Sequence, residues 1–365
     1  MSHAEQAPSS GGFLADLIRK TTILMITGVT GGIGLSILEE IIRLRQNEKS
    51  ISRLDIILPT RQSSNDVLEL PRWQTITECC PSANVHLHFA SGHFPNIVTD
   101  VQKTLQDIGS GRVIEGIIHC AGKNHKKAVT LADTTDDEID EILAANMVHF
   151  TKILRMFLRQ FDRKEESEAR GLLACEQHQQ QAANQKVEEN GSTFATTGTV
   201  TAATSITPSS SSSSTAPPSA VCSKVILNRT KAWFLDINSM ATIGMNGSYL
   251  AVYTGSKCYN SSLLESVAAH TRDDVLFLTI RAGFVQSSMI EDYSPHIAQQ
   301  TVTAETFADF LLNRSQLKMG PDGDSSCRTH LELQPMDIHL QAAHYMDRLK
   351  CEASKRAFLH WYFVE

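Results

Sequence analysis

The chain has 365 residues, of which 41% are hydrophobic and 6% aromatic, as in an ordinary soluble globular protein. Its 33 basic and 40 acidic side chains give a formal net charge of −7, which argues against an extended surface for binding nucleic acid. The eight cysteines form no C-x-x-C pair and are too sparse for a disulfide scaffold. We therefore expect reduced thiols and one large α/β domain, or two domains.

The N-terminal segment MSHAEQAPSSGGFLADLIRK lacks a long apolar run behind a basic start, so it is a poor secretory signal. No window reaches about 18 uninterrupted apolar residues, which predicts no stable membrane insertion. These features favour a cytoplasmic protein. FLADLIRK is compatible with an interfacial helix, but a packed lead-in helix is the preferred interpretation.

Short β-rich runs alternate with helical stretches from residue 22 onward. The predicted strands are TILMI, LDIIL, VHLHF, VIEGIIHC, AWFLDIN and VLFLTIRAGF. This alternation predicts an α/β fold of the Rossmann type, a doubly wound parallel β-sheet with helices on both faces. The carboxyl ends of the strands, and any ligand, are then expected along one edge.

The helical stretches follow the strands in the order expected for this fold. The stretch DTTDDEIDEILAANMVHFTKILRMFLRQF predicts a long amphipathic helix or a broken pair, capped by Thr134 or Thr135. The tail from HLELQPMDIHL to the C-terminus is predicted to be helical. Other predicted helices are LSILEEIIRLR, IVTDVQKTLQDI, SYLAVYTGSKCYNSSLLESVAAHT and TAETFADFLLN.

A low-complexity segment, rich in Ser, Thr and Gln and poor in large apolar residues, interrupts this pattern. It cannot bury enough apolar surface to offset its ordering entropy, so we predict a long disordered insertion in a single domain. A tolerated expansion is preferred over a regulatory tether. The predicted segments are a lead-in, a cofactor-binding half, the insertion, a catalytic half and a C-terminal extension, at 1–21, 22–162, 163–230, 231–320 and 321–365.

The stretch T-G-V-T-G-G-I-G lies directly after the first predicted strand and directly before a helix. In that context Gly28 permits a tight turn, and Gly32 lets backbone approach a pyrophosphate. Gly34 is expected to let the helix pack close against the sheet. The free N–H groups of the helix would face the phosphate.

The spacing T-G-x-x-x-G-I-G resembles the cofactor signature of the short-chain dehydrogenase/reductase family, and the resemblance covers about 22–162 and 230–315. In that family a basic residue after the second strand accompanies NADP, so Arg61 implies NADP, with NAD also compatible. Ser91 and His119-Cys120-Ala121-Gly122 stand where the family has an acid and Asn-Asn-Ala-Gly. The cofactor-binding residues implied in this half are Gly28, Thr30, Gly31, Gly32, Ile33, Gly34, Arg61, Ser91, Ala121 and Gly122.

Tyr253 and Lys257 stand four residues apart, so in a helix both side chains leave the same face. A phenol ordinarily has a pKa of about 10, and a nearby ammonium favours the phenolate, which suits proton exchange near neutral pH. By itself this spacing is common on exposed helices. The pair matches Y-x-x-x-K of the family, which implies that both residues also contact the cofactor.

The resemblance implies further residues on the other elements. Ser239, at the end of the fifth strand, would bind the substrate oxygen, and Asn146 would support a proton-relay water and contact the cofactor. The implied catalytic set is thus Asn146, Ser239, Tyr253 and Lys257. After the sixth strand the implied cofactor contacts are Gly283, Val285 and Ser287.

The sequence therefore predicts an NADP-preferring oxidoreductase that interconverts a carbonyl and a secondary alcohol. In either direction the expected substrate is a small molecule. A steroid or lipid ketone reductase is the alternative within the family, and a cofactor-sensing interaction protein is the alternative of another class. The family implies a homodimer or homotetramer. No metal is expected, because the spacing of one His and Cys cluster fits no zinc motif: Cys79, Cys80, His86, His88 and His93. Tyr249 would line the pocket or pack.

Overall fold

The computed structural model describes residues 12–47, 52–91, 96–125, 130–161, 226–243, 250–271, 274–287, 302–314, 316–317 and 331–334. The chain divides into two compact units, one of residues 1–156 with 219–365 and the other of residues 157–218. In the second unit, residues 157–161 are helical. Most of the predicted insertion, 163–225, lies outside the described residues, as do Tyr249 and His93.

Among the described residues of the first unit, eight strands form the sheet: β1 (Ile23–Thr27), β2 (Leu54–Thr60), β3 (Val85–Ser91), β4 (Gly116–His119), β5 (Ala232–Ser239), β6 (Val275–Ala282), β7 (Gln316–Leu317) and β8 (Leu331–Gln334). Their order is β3-β2-β1-β4-β5-β6-β8-β7. The first six of these neighbours pair in parallel, as predicted. β8 adds in parallel to β6, and β7 pairs antiparallel with β8.

Helices flank this sheet: α1 (Phe13–Lys20), α2 (Gly32–Gln46), α3 (Ser64–Leu68), α4 (Pro71–Cys79), α5 (Ile97–Ile108), α6 (Asp136–Leu143), α7 (Ala251–Ala268) and α8 (Ala304–Asp309). Every residue of β1 and β2 is buried, which explains their nearly continuous apolar runs. The doubly wound α/β fold predicted from the sequence is therefore confirmed.

The first turn of α6 shows how local sequence sets a boundary. The hydroxyl of Thr135 accepts a hydrogen bond from the backbone N–H of Glu138 at 3.3 Å, so Thr135 is the cap. The helix then widens into a π-helical turn at Ala144–Val148 before it continues. The helix predicted over this stretch therefore contains a π-helical turn, and Asn146 lies in that turn.

The N-terminal helix α1 is packed rather than interfacial, because its apolar side chains are buried in the main core. Lys20 Nζ donates to the backbone carbonyl of Leu227 at 3.0 Å, and residues 226–229 form a helical turn. These four residues had been assigned to the insertion on composition alone.

The prediction for the C-terminal tail was wrong at residues 331–334, which form β8 instead of a helix. Leu331 pairs with Leu278 at the open side of β6. The alternating pattern of L-E-L-Q suits a strand, and β6 supplies backbone N–H and C=O groups with which such a strand pairs.

Candidate active site

The turn between β1 and α2 is shaped for glycine. Gly28 has a φ of +73°, and a Cβ there would lie 2.8 Å from the backbone nitrogen of Ala121. A side chain would therefore meet both backbone strain and a clash with the loop after β4. The predicted tight turn at Gly28 is thus explained by two independent constraints.

Gly34 is constrained by the turn that precedes its helix. A Cβ at Gly34 would lie 2.5 Å from the carbonyl oxygen of Gly28. The backbone N–H of Gly31 also donates to that carbonyl, at 3.0 Å. The start of α2 therefore packs closely against its own entry turn, which leaves no room for a side chain at Gly34.

Thr27 joins this turn to the neighbouring strand. Its hydroxyl accepts hydrogen bonds from the backbone N–H groups of Cys120 and Ala121, at 3.2 and 3.1 Å. No side-chain hydrogen bond caps α2 at Gly31 among the described residues, so the first N–H groups of the helix remain available. Thr27 was not among the predicted site residues, although its place directly before Gly28 indicates a position in the turn.

The carboxyl ends of β2 and β3 present two predicted cofactor residues to solvent. Arg61 directly follows β2 and is exposed, and Ser91 ends β3 and is also exposed. Thr60 and Ser91 are paired in the sheet, so Arg61 and Ser91 share one edge. Exposed Thr30 and half-buried Ile33 lie in and just after the glycine turn.

The loop after β6 approaches the glycine turn. A Cβ at Gly32 would lie 3.5 Å from the carbonyl oxygen of Gln286 and 3.7 Å from Cα of Ser287. Val285 is buried and bridges to Val302, which fixes this loop, and half-buried Gly283 begins it. Gly32, which precedes the predicted insertion in the chain, therefore lies close to Gln286 and Ser287, which follow it.

Lys257 lies on α7, and its side chain is buried beside the carboxyl-terminal part of β5. Only 4% of its surface is exposed. Its Nζ donates to the backbone carbonyl of Ile237 at 3.1 Å. A Cβ at Gly122 would lie 3.5 Å from Lys257 Nζ and 3.3 Å from Asn146 Oδ1. The structure thus brings Gly122, Asn146 and Lys257 together, although they are distant in sequence.

Asn146 occupies the π-helical turn and is completely buried. Its Oδ1 accepts from the backbone N–H of Lys123 at 2.7 Å, and its Nδ2 donates to the Lys123 carbonyl at 2.8 Å. The same Nδ2 donates to Ser256 Oγ at 2.9 Å, and Ser256 in turn donates to the Tyr253 carbonyl at 2.6 Å. Asn146 therefore connects the loop after β4 to α7.

Tyr253 lies on α7 one turn before Lys257 and is 8% exposed. Ser239 is half-buried at the end of β5, and its Oγ accepts from the backbone N–H of Ala241 at 3.1 Å. Thr242 donates to the Ser239 carbonyl at 2.8 Å, which holds the short helical turn after β5. The four predicted catalytic residues thus lie on three elements that the hydrogen bonds above connect.

Three buried polar residues beside this group were missed from the sequence. His119 and Asp236 are both fully buried, with Nδ1 and Oδ1 3.1 Å apart, and Asn238 lies next on the same strand. The available signal was the spacing of Asp236 and Asn238, two positions apart within an otherwise apolar strand. Polar side chains at that spacing share one face, which here is turned to α7.

The environment also shifts two titrating groups. Burial raises the pKa of the Cys120 thiol well above its ordinary value, and the Lys257 ammonium only partly opposes that rise. Burial, together with the charges of His119, Arg61 and Lys152, lowers the pKa of His149 to about 3. Cys120 is therefore a protonated thiol near neutral pH, and His149 is neutral.

One member of the His and Cys cluster at residues 79–93, His88, has a different partner in the structure. His88 Nε2 lies 2.8 Å from Asp55 Oδ1, and Arg53 donates to the same carboxylate at 2.7 Å. Within the described residues no group of three or more His, Cys, Asp or Glu side chains is arranged to hold a metal ion.

Comparisons with known proteins support the architecture. A short-chain dehydrogenase from Burkholderia cenocepacia, solved with NADP, matches with a TM-score of 0.50 over 87% of this chain and 98% of its own, at 14% identity. A short-chain dehydrogenase/reductase from Serratia marcescens matches with a TM-score of 0.50 over 86% and 96%, at 12% identity. The fold is that of the short-chain dehydrogenases/reductases.

The similarity to these proteins is much weaker in the amino-acid sequence than in the fold. No protein-family model and no curated protein matches the chain. At 12–14% identity the similarity of the short-chain dehydrogenase/reductase fold specifies the architecture, while the chemistry depends on individual side chains. None of the helices in the described part of the chain has the length and apolar character needed to span a membrane.

Proposed function

We propose that this protein is an NAD(P)-dependent oxidoreductase that interconverts a carbonyl and a secondary alcohol, with a preference for NADP. The observation that carries the proposal is the buried Lys257 ammonium, one helical turn from Tyr253 and 3.5 Å from the Cβ position of Gly122. Burying an ammonium costs free energy, so its presence there favours a function.

The glycine turn fits a dinucleotide. Side chains at Gly28 or Gly34 would collide with backbone, and a side chain at Gly32 would fill the space beside Gln286 and Ser287. With the uncapped start of α2, the turn offers backbone N–H groups to a pyrophosphate. Other residues proposed to line the cofactor site are Thr30, Ile33, Ser91, Ala121, Gly283 and Val285.

The preference for NADP rests on Arg61. Its guanidinium is exposed at the carboxyl end of β2, in a place open to a ligand that lies along this edge. A planar cationic fork suits a phosphate monoester, such as the 2′-phosphate that distinguishes NADP from NAD.

A bound nicotinamide cofactor would supply or accept the hydride, and the side chains around it would handle the proton and the substrate oxygen. Ser239 would donate a hydrogen bond to the carbonyl oxygen, and Tyr253 would give its proton to the developing alkoxide. Lys257 would stabilise the resulting phenolate through its positive charge. Asn146 would hold the backbone of Lys123 in place relative to α7.

The decisive variant is Tyr253→Phe, which removes the proton but keeps the ring. We expect turnover of a carbonyl panel with NADPH to fall at least about 100-fold, since acid–base catalysis contributes about that much or more. The dissociation constant for NADPH should stay within about threefold of wild type, because the glycine turn is unchanged.

The matched control is Tyr259→Phe on the same helix, where the phenol hydrogen-bonds the Thr151 hydroxyl at 3.0 Å. It should retain turnover. Undiminished turnover of Tyr253→Phe would refute the proposed mechanism. NADPH binding by the wild type without turnover on aldehydes, quinones, steroids or 3-keto thioesters would instead favour the cofactor-sensing interaction protein, and selective turnover of steroids would favour the steroid and lipid ketone reductase.

A further inference from the structure

The Asn238 side chain contacts two of the three elements that carry the proposed catalytic residues. It is 3% exposed, and its Oδ1 accepts a hydrogen bond from the backbone N–H of Ser239 at 2.7 Å. Its Nδ2 lies 3.1 Å from the Lys257 carbonyl and 2.9 Å from Ser261 Oγ. One amide therefore links the end of β5 to α7.

The orientation of this amide is determined by its partners. The backbone N–H of Ser239 can only donate, so it requires the oxygen of Asn238, whereas the Lys257 carbonyl can only accept and requires the nitrogen. Asp236 Oδ2 is a further acceptor, 3.0 Å from Nδ2. A rotated amide would leave buried donors and acceptors unpaired, which would destabilise the folded protein.

Asp236 is itself held in place by His119. Both side chains are fully buried, and Nδ1 of His119 lies 3.1 Å from Asp236 Oδ1. The ring of His119 packs edge-on against Phe150 and is stacked with Phe234. Because a carboxylate only accepts hydrogen bonds, Nδ1 donates, and the buried chain of contacts runs from β4 through β5 to α7.

We propose that Asn238 is a positioning residue, which fixes Ser239 and Lys257 relative to each other, with Asp236 and His119 holding its amide. The two residues it links have different tasks in the proposed reaction and sit on different elements. A displacement of about 1 Å between such groups can cost about 100-fold in rate. This inference rests on the proposed function, since it assigns Asn238 an effect on turnover as well as on folding.

The test is the variant Asn238→Ala in the full chain. We expect kcat to fall about 10- to 100-fold, because both links are lost and Ser239 and Lys257 move apart. The dissociation constant for NADPH should change less than about threefold, since no contact of the glycine turn involves Asn238. If Asn238→Ala does not fold, Asn238→Thr removes the same amide donor at smaller change in volume and is held to the same expectation.

The matched control is Thr21→Val at the opposite end of the sheet. Thr21 Oγ1 donates to the Leu17 carbonyl at 2.9 Å and accepts from Trp233 Nε1 at 3.0 Å, so this variant loses two buried hydrogen bonds away from Ser239 and Lys257. It should show a fall in the free energy of unfolding in urea, with kcat unchanged. The comparison separates a loss of stability from a loss of positioning.

The outcomes separate this inference from the function on which it rests. If Asn238→Ala keeps kcat within about twofold of wild type while Tyr253→Phe is inactive, the positioning role is refuted and the proposed oxidoreductase stands. If Tyr253→Phe keeps its turnover, the proposed function fails and this inference fails with it. Loss of kcat in Asn238→Ala, with NADPH binding kept and Thr21→Val active, supports the positioning role.

Discussion

The glycine turn and the Tyr253–Lys257 end of the site are built from different parts of the polypeptide. The turn, residues 27–34, is shaped by backbone atoms, and a Cβ at Gly28 or Gly34 would lie within 3 Å of other backbone. The other end is shaped by buried polar side chains. Among them, Asn146, Asn238 and Lys257 each make hydrogen bonds to backbone from a distant part of the chain.

This difference separates two ways of making a site. The turn depends on glycines at positions where a Cβ would collide with backbone, either of the turn itself at Gly34 or of the loop after β4 at Gly28. The Tyr253–Lys257 end depends on groups contributed by β4, β5, the π-helical turn after α6, and α7, and these groups hydrogen-bond to one another. Changes in the turn should therefore act through steric strain, whereas changes at the Tyr253–Lys257 end should act through hydrogen bonds and charge.

The largest effect on stability is expected from Gly28→Ala. The positive φ costs about 1–2 kcal/mol for a residue with a Cβ, and the 2.8 Å approach to Ala121 adds to that, for a total of about 3 kcal/mol. Urea denaturation measures the change. Gly111→Ala is the control, because Gly111 has a φ of +77° but no atom within 4 Å of its Cβ position. Equal losses in the two variants would show that the contact with Ala121 contributes nothing.

A smaller effect is expected where the two regions meet, in Gly122→Ala. The new methyl would lie 3.3 Å from Asn146 Oδ1, so this amide must shift by a few tenths of an ångström, whereas the 3.5 Å to Lys257 Nζ is an ordinary van der Waals contact. We expect kcat to fall about tenfold, with less than about 1 kcal/mol lost in stability. In the control Gly255→Ala no described atom lies within 4 Å of the new methyl, and the helix should gain up to about 1 kcal/mol. A normal kcat for Gly122→Ala would contradict the expected sensitivity of the site to the position of Asn146.

A further effect is a dependence of stability on pH, which we expect from the buried side chain of His149. Burial lowers the pKa of His149 from 6.5 to about 3 in the folded protein. As pH falls from 6.5 toward 3, the unfolded chain takes up a proton that the folded chain does not, so stability decreases by at most about 1.4 kcal/mol per pH unit. His149→Gln should reduce this slope in urea denaturation at pH 6 and pH 5. An unchanged slope would show that His149 does not titrate on unfolding in this range.

The sequence predicted the elements that local patterns specify. The apolar runs of β1 and β2 and the cap at Thr135 are found where expected, because burial on both faces and capping are properties of neighbouring residues. The strand β8 was not predicted, because its only partner of the same direction, β6, is distant in the chain. The roles of the predicted site residues remain proposals that the variants above test.

By itself, the sequence determined the alternation of strands and helices and the position of the glycine turn. Hydrophobic periodicity, helix capping and a run of glycines are each visible within a few neighbouring residues. The tertiary structure alone decided which side chains meet: Gly122 with Lys257, Asn146 with Lys123 and Ser256, and Asn238 with Ser239 and Lys257. Those contacts join residues up to about 135 positions apart, since the parallel sheet brings the ends of β4 and β5 side by side. No pattern within a single segment records such a pairing.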